Sequence, residues 1–401
     1  MAGGGPAIAA GTGRADYFLC MRGAELPSFR PRSLLRGLRA RPQMPQTMAA
    51  SGRNRRTGRR MMVLGLSRRA ALLAAGGVIA APRIGTAQAA RVRLTLDWAF
   101  QSPNAFALVA REKGYFRAAG VEVQVDRGQG SGGVPVALAG GSYDMGYADL
   151  NPAIRFMAEN PDRGIVAVAI LHDRSPLCAI VRADGPIRTP KDLEGKRLAA
   201  PDFDAGRQLF PAFAKAAGID ASKVTFISVT PALREPMLVR READGVTGFV
   251  TTSALALKGI GLALNQQRTM MYYDHGLNLY GGAILTTRAF LERNPAAVRG
   301  MTAALTKAFL ETVRNGQEMI DILKRVEPLT DVAIERERHD LNIERVIMTD
   351  NVRANGISAV DTARLQTGIR AVEEAYNLPP RLQAAQIYTP DFLPPAADRR
   401  I

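Results

Sequence analysis

The chain has 401 residues, 47% hydrophobic and 22% charged, enough to bury a sizeable core and more than one ordinary domain holds. Its formal charge of +16 sits almost wholly in residues 1–89, which carry 15 Arg and no Lys against one Asp and one Glu, leaving +3 for the rest. So balanced a body has no electrostatic footprint for nucleic acid, and two cysteines, Cys20 and Cys178, exclude a disulfide framework.

Residues 1–60, rich in Arg, Gly and Pro without periodicity, read as disordered or as translated upstream sequence, with a basic arm as the competing reading. Residues 61–89 read as an export signal. Ser67-Arg68-Arg69-Ala70-Ala71 precedes a short apolar run over 74–81, then the small-residue pattern Ala87-Gln88-Ala89. The run is too short for a membrane anchor. The Arg68-Arg69 pair resembles a twin-arginine signal, but Ala71 stands where a bulky apolar residue is usual, so the general secretory route stays open. A periplasmic protein starting near Ala90 is expected. Cys20 follows Tyr17-Phe18-Leu19 without a long apolar run and is a poor lipoprotein site, and its removal with the leader would leave Cys178 a buried, inert thiol.

Beyond the leader, β-rich runs alternate with helical patterns: a strand over 92–96, a helix over 104–113, a strand over 121–125 and a helix over 134–139. Further strands are expected over 165–170, 179–181, 224–229, 245–250 and 282–286, with helices over 151–159 and 206–217. The alternation predicts βαβ units, an α/β fold and a largely parallel sheet. After Thr286 the pattern turns helical, over 295–315 and 358–376, as extra C-terminal helices packed on a finished sheet.

Candidate ligand contacts fall at strand ends. In open α/β sheets the crevice beyond the strand C-termini holds ligands, and helix N-termini aim N–H donors into it. Asp97 and Trp98, the only Trp, end the first strand, and Asn104 opens the next helix. Trp98 offers a flat face for a ring, with Asp97 and Asn104 as polar partners; a core Trp beside a helix cap is the alternative. Gly128-Gln129-Gly130-Ser131-Gly132-Gly133 fits G-x-G-x-x-G weakly as a dinucleotide fingerprint, and a turn whose N–H groups and Ser131 hydroxyl meet a polar ligand requires less. Tyr147 and Asp149 follow a short strand toward the same crevice, whereas Asp144 fits a turn. Phe203, Asp204 and Arg207 begin a helix from the opposite side, with a solvated helix face as the bland reading of Arg207. Arg174, Arg207 or Arg234 would suit a carboxylate or sulfonate. His172, His275 and His339 lack the paired spacing of a metal site, and no motif compels a catalytic residue, a cofactor or a metal.

At these residues the chain resembles the substrate-binding proteins for nitrate, taurine, sulfonates and thiamine-precursor pyrimidines, the thiamine-pyrimidine-synthase-like group of type II periplasmic binding proteins. The likeness runs from about Arg91 to about Asn315. It rests on Leu96-Asp97-Trp98, Glu112-Lys113-Gly114-Tyr115-Phe116, Gly141-Ser142-Tyr143-Asp144, Lys191-Asp192-Leu193-Glu194-Gly195-Lys196 and Phe290-Leu291-Glu292-Arg293-Asn294-Pro295. The resemblance implies two Rossmann-like lobes, 90–181 with 282–401 and 182–281, crossing near Val181 and Gly281 around a ligand cleft. It also implies a monomer serving an ABC permease and its ATPase. Asn104-Ala105 departs from the His that commonly follows Asn in the pyrimidine branch. The ligand expected is a small organic molecule, a nitrogen heterocycle first and a sulfonate, taurine or carboxylate second. A pyrimidine-synthase-like enzyme on the same fold is the alternative of another class, and an oxidoreductase is a remote third.

Overall fold

The computed structural model describes residues 89–401. The expected upstream extension, the signal segment and Cys20 lie outside the described residues. Among the described residues, ten strands form two five-stranded sheets. The first combines β1 (Ala90–Thr95), β2 (Val121–Asp126), β3 (Met145–Asp149), β4 (Ile165–Ile170) and a strand that arrives late in the chain, Gly282–Thr287. The second combines β5 (Leu177–Arg182), β6 (Arg197–Ala200), β7 (Thr225–Ser228), β8 (Gly245–Phe249) and β9 (Gln267–Met271). With Gly282–Thr287 as β10, the orders are β2-β1-β3-β10-β4 and β7-β6-β8-β5-β9.

Each sheet is mixed, with four strands running one way and one against them. β10 runs antiparallel between β3 and β4, and β5 antiparallel between β8 and β9. The cause is connectivity. β4 and β9 end at the cleft, and the chain crosses there directly into β5 and β10, which must then run away from it. The first crossing occupies 171–176, so Leu177–Arg182 already belongs to the second sheet and the crossing lies ahead of Val181. An apolar run such as β5 suits either sheet equally, which hides the boundary from the sequence. The second crossing occupies 272–281.

Other differences are local. The helix expected over 206–217 is two, Ala205–Gln208 and Phe210–Ala217, broken before Pro211, whose ring fits only a first helical turn. β9 went unpredicted because Gln267, Arg268 and Thr269 give it the polar character of an edge strand. The C-terminal helices do not all sit on the first lobe. Pro295–Arg314 shares a core with Phe106–Glu112 and β1. Val332–Asn342 packs on Leu255–Gly259 of the second lobe, and Thr362–Ala375 touches both Leu150–Glu159 and Phe210–Ala217. Through Leu365, Ile369 and Val372 the latter helix joins a single apolar core spanning both sheets, with Ala148 and Ala283 on one side and Leu198 and Phe213 on the other. Among the described residues no helix is long and apolar enough to cross a membrane.

Candidate functional site

The C-terminal ends of β1, β3, β4 and β8 converge where the chain crosses between sheets. Asp97, Trp98, Tyr147, Asp149, His172, Phe249, Thr251 and Thr252 therefore line one cavity with Gln101, Pro103, Asn104 and Pro176. Its volume is about 20 Å³, room for roughly one water. Trp98, Gln101 and Thr252 also line a wider outer chamber of about 530 Å³, walled by Gln129, Thr230, Arg234 and Glu235. That volume falls within the range of small-molecule sites.

The glycine-rich turn is a joint between lobes. Its N–H groups are used internally: Gly128 donates to Trp98 O at 3.2 Å, Gly130 to Asp97 O at 2.7 Å, and Gly132 to Phe203 O at 3.0 Å. A Cβ on Gly128 would lie 2.1 Å from Leu96 O, and one on Gly130 2.3 Å from Phe203 O, at a φ of +143° that favours glycine. Close backbone approach explains these glycines, and the N–H groups of Gly128, Gly130 and Gly132 are already taken by protein carbonyls.

Ser131 links the buried Asp97 carboxyl to the backbone of Asp149. Its hydroxyl donates to Asp97 Oδ2 at 2.8 Å and accepts from the Asp149 N–H at 3.2 Å. Asp149 caps the helix Leu150–Glu159, taking the Asn151 N–H at 3.0 Å, the Asn151 amide at 2.7 Å and the Ser175 hydroxyl at 2.6 Å. Burial pushes the Asp97 carboxyl up to about 7, against the opposing Ser131 hydrogen bond and with a contribution from the Asp149 charge. Burial likewise raises Asp149, opposed by Ser175 and Asn151. His172, 3.3 Å from the Tyr147 hydroxyl through Nε2, is lowered to about 3 by burial and is neutral at physiological pH. Asn104 lines the cavity while stapling its own loop, donating to Ala99 O and accepting from the Gln101 N–H, each at 3.1 Å.

Opposite Trp98 stands a charged cluster of the second lobe. The Arg234 guanidinium lies 4.8 Å from the Trp98 ring centre and is 2% exposed, pairing with Asp204 at 3.0 Å and Glu235 at 2.7 Å. Asp204 also caps Ala205–Gln208 through the Arg207 N–H and accepts from Thr247 at 3.1 Å. With Ser131, Asp97 and Trp98 it borders a small recess beside the main cavity.

Three expected residues are not brought to the cavity. Arg174 stacks on Tyr273 at 4.5 Å. Phe203 is 47% exposed and contributes its carbonyl to the interlobe joint. Arg207 turns to Ala200 O, the Ser228 hydroxyl and Asp202 at the end of the sheet. The residues sequence reasoning passed over are Gln101, His172, Pro176, Phe249, Thr251 and Thr252. His172 and Thr251 each come just after a strand's C-terminus, the same signal that marked Asp97. Among the described residues no group of three or more His, Cys, Asp and Glu is placed to hold a metal. Cys178 is a free, buried thiol held well above its ordinary range by burial.

The formylaminopyrimidine-binding protein of Halalkalibacterium halodurans is 27% identical over 244 residues, 58% of this chain and 69% of that protein. The riboflavin-binding protein RibY of Chloroflexus aurantiacus is 21% identical over 245 residues, 61% of this chain and 67% of that protein. The alkanesulfonate-binding protein SsuA from Xanthomonas axonopodis pv. citri, solved with MOPS, shares the fold at a TM-score of 0.60 and 19% identity, over 76% of this chain and 99% of that one. The periplasmic nitrate-binding protein NrtA from Synechocystis PCC 6803 does so at 0.59 and 14%, over 76% and 87%. The two-lobed α/β architecture expected from the sequence is thus that of periplasmic binding proteins. The NMT1/THI5 like model matches residues 102–319, more than half of the chain and both walls of the cleft, so the protein belongs to the NMT1/THI5 like family.

Proposed function

We propose that the protein is an extracytoplasmic solute-binding protein that captures a nitrogen heterocycle and delivers it to an ABC importer, without catalysing a reaction. The charge of the cleft carries the ligand class. Asp97, Asp149, Asp204 and Glu235 face or border it against Arg234 alone, whose charge is already paired. An anion placed about 4 Å from an ionised Asp97 is repelled by roughly 4 kcal/mol at an effective dielectric of about 20. A ring bearing amino or imino N–H groups turns the same carboxylate into an acceptor. The relatives named for formylaminopyrimidine and riboflavin binding support a heterocycle. The inner cavity is too small for a ring, so the body of the ligand belongs in the outer chamber against Trp98, its polar edge toward Asp97.

Sulfonate, taurine or carboxylate binding is the second reading. It loses its clamp, since Arg174 and Arg207 point elsewhere. Export through the Ser67–Ala89 signal, with its twin-arginine-like Arg68-Arg69, agrees with this role, and the periplasmic protein is expected to start near Ala90 by intact mass. Isothermal titration with 4-amino-2-methylpyrimidine and with taurine tests the ligand class. Binding of the pyrimidine alone supports it, and binding of taurine alone transfers the protein to the second reading. Recovery of the pyrimidine unchanged from the complex checks that no reaction occurs.

A further inference from the structure

We propose that Glu335 and Arg338, on the C-terminal helix Val332–Asn342, are positioning residues that hold the two walls of the cleft together, one wall from each lobe. The helix lies beyond residues 102–319 matched by the family, and neither residue lines the cavity. Spaced three apart, the two side chains share one helix face and pair at 2.9 Å, 8% and 3% exposed. Each also reaches a different lobe. Glu335 Oε2 accepts the Ser102 N–H at 2.7 Å and stands 2.8 Å from its hydroxyl. Ser102 sits between Gln101 and Pro103, both in the cavity wall. On the other side, Arg338 Nη1 donates to Thr251 O at 2.6 Å and Thr252 O at 2.8 Å. Those residues belong to the wide turn Val250–Ala254 that follows β8 and forms the facing wall.

One buried ion pair therefore joins the first-lobe loop to the second-lobe turn. Parting the walls at this edge leaves the ion pair intact on its helix but breaks either the Ser102 hydrogen bonds to Glu335 or the two carbonyl hydrogen bonds to Arg338, charge-assisted contacts that favour the closed form. The contact needs no solute, so the cleft is held closed at this edge before binding, and the Thr251 and Thr252 wall is presented ready-shaped. The consequence for affinity rests on the solute-binding reading; the consequence for lobe separation does not.

The test uses the protein with spin labels at Val136→Cys and Leu264→Cys, exposed positions on the first and second lobes. Interlobe distances are measured without ligand in the parent, Arg338→Ala and Glu335→Ala. The parent is expected to give one narrow distance and both variants a longer or broader one, with far-UV dichroism unchanged, a readout that simple destabilisation does not move. If the alanine variants fail to fold, Arg338→Lys serves, because it keeps the charge but loses the planar fork that places Nε on Glu335 and Nη1 on the two carbonyls. Parallel titration with 4-amino-2-methylpyrimidine is expected to show at least a tenfold weaker Kd in Arg338→Lys. Distances identical to the parent in every folded variant overturn the proposal. If the pyrimidine binds neither parent nor variant, the solute reading fails while the distances still decide the role of the pair.

Discussion

Replacing Asp97 by Asn keeps the shape of the side chain and removes the one property on which the ligand class depends. The carboxyl is 5% exposed, accepts the Ser131 hydroxyl and titrates at about 7. A hydrogen bond from a ligand N–H to a charged acceptor contributes about 1.5–3 kcal/mol, so above pH 7 Asp97→Asn should weaken 4-amino-2-methylpyrimidine binding roughly ten- to hundred-fold. Only the ionised form accepts in this way. Wild-type affinity, corrected for the ligand's own protonation, should therefore fall as pH drops through about 7 and approach that of the variant near pH 5. Stability moves the other way. The folded carboxyl holds its proton more tightly than the unfolded one at 3.8, so its contribution is full below 3.8 and is lost as pH rises through about 7. The loss is of the order of 4 kcal/mol, and the melting temperature of Asp97→Asn should gain on wild type between pH 4 and 8. Calorimetry and thermal melts across that range measure both. Equal affinity of variant and wild type at pH 8, or a flat wild-type profile from pH 5 to 8, refutes the role given to Asp97.

Trp98→Ala should weaken pyrimidine binding by at least about 1 kcal/mol while the protein stays folded; a lower melting temperature with unchanged affinity would make the ring a packing partner of Arg234 only. Arg234→Met leaves Asp204 and Glu235 buried without their cation and should cost about 3–5 kcal/mol in denaturant unfolding, partly recovered by adding Asp204→Asn. Gly130→Ala forces a Cβ against Phe203 O at a left-handed φ, and hydrogen exchange should rise at the Gly132 N–H, the donor that bridges the lobes there.

The sequence makes some of this site visible and hides the rest for identifiable reasons. Asp97 and Trp98 follow β1 directly and Tyr147 and Asp149 lie in the C-terminal half of β3, and the convergence of strand ends is a property of the α/β layer itself. Side-chain direction is not such a property. Arg207 and Asp204 are three residues apart at the same helix start, yet Asp204 turns to Arg234 while Arg207 is drawn to Ser228. The Gly128–Gly133 turn is legible as a turn, but the presence of Phe203 O against it depends on the second lobe closing over it. Arg234 is conspicuous only as a cation until Asp204, 30 residues earlier, is seen beside it. The Ser102–Glu335 contact spans 233 residues and leaves no local pattern. The boundary between lobes is hidden for the opposite reason, since the apolar runs Ile165–Ile170 and Leu177–Arg182 on either side of it are alike.

The most direct test is a competition titration of the protein at pH 8 with 4-amino-2-methylpyrimidine, in the absence and presence of excess taurine and nitrate. With Asp97 ionised and Arg234 already paired, the pyrimidine should bind one to one with an affinity the two anions leave unchanged. Saturable binding of taurine or nitrate, with none of the pyrimidine, would contradict a carboxylate-lined cleft built for a nitrogen heterocycle.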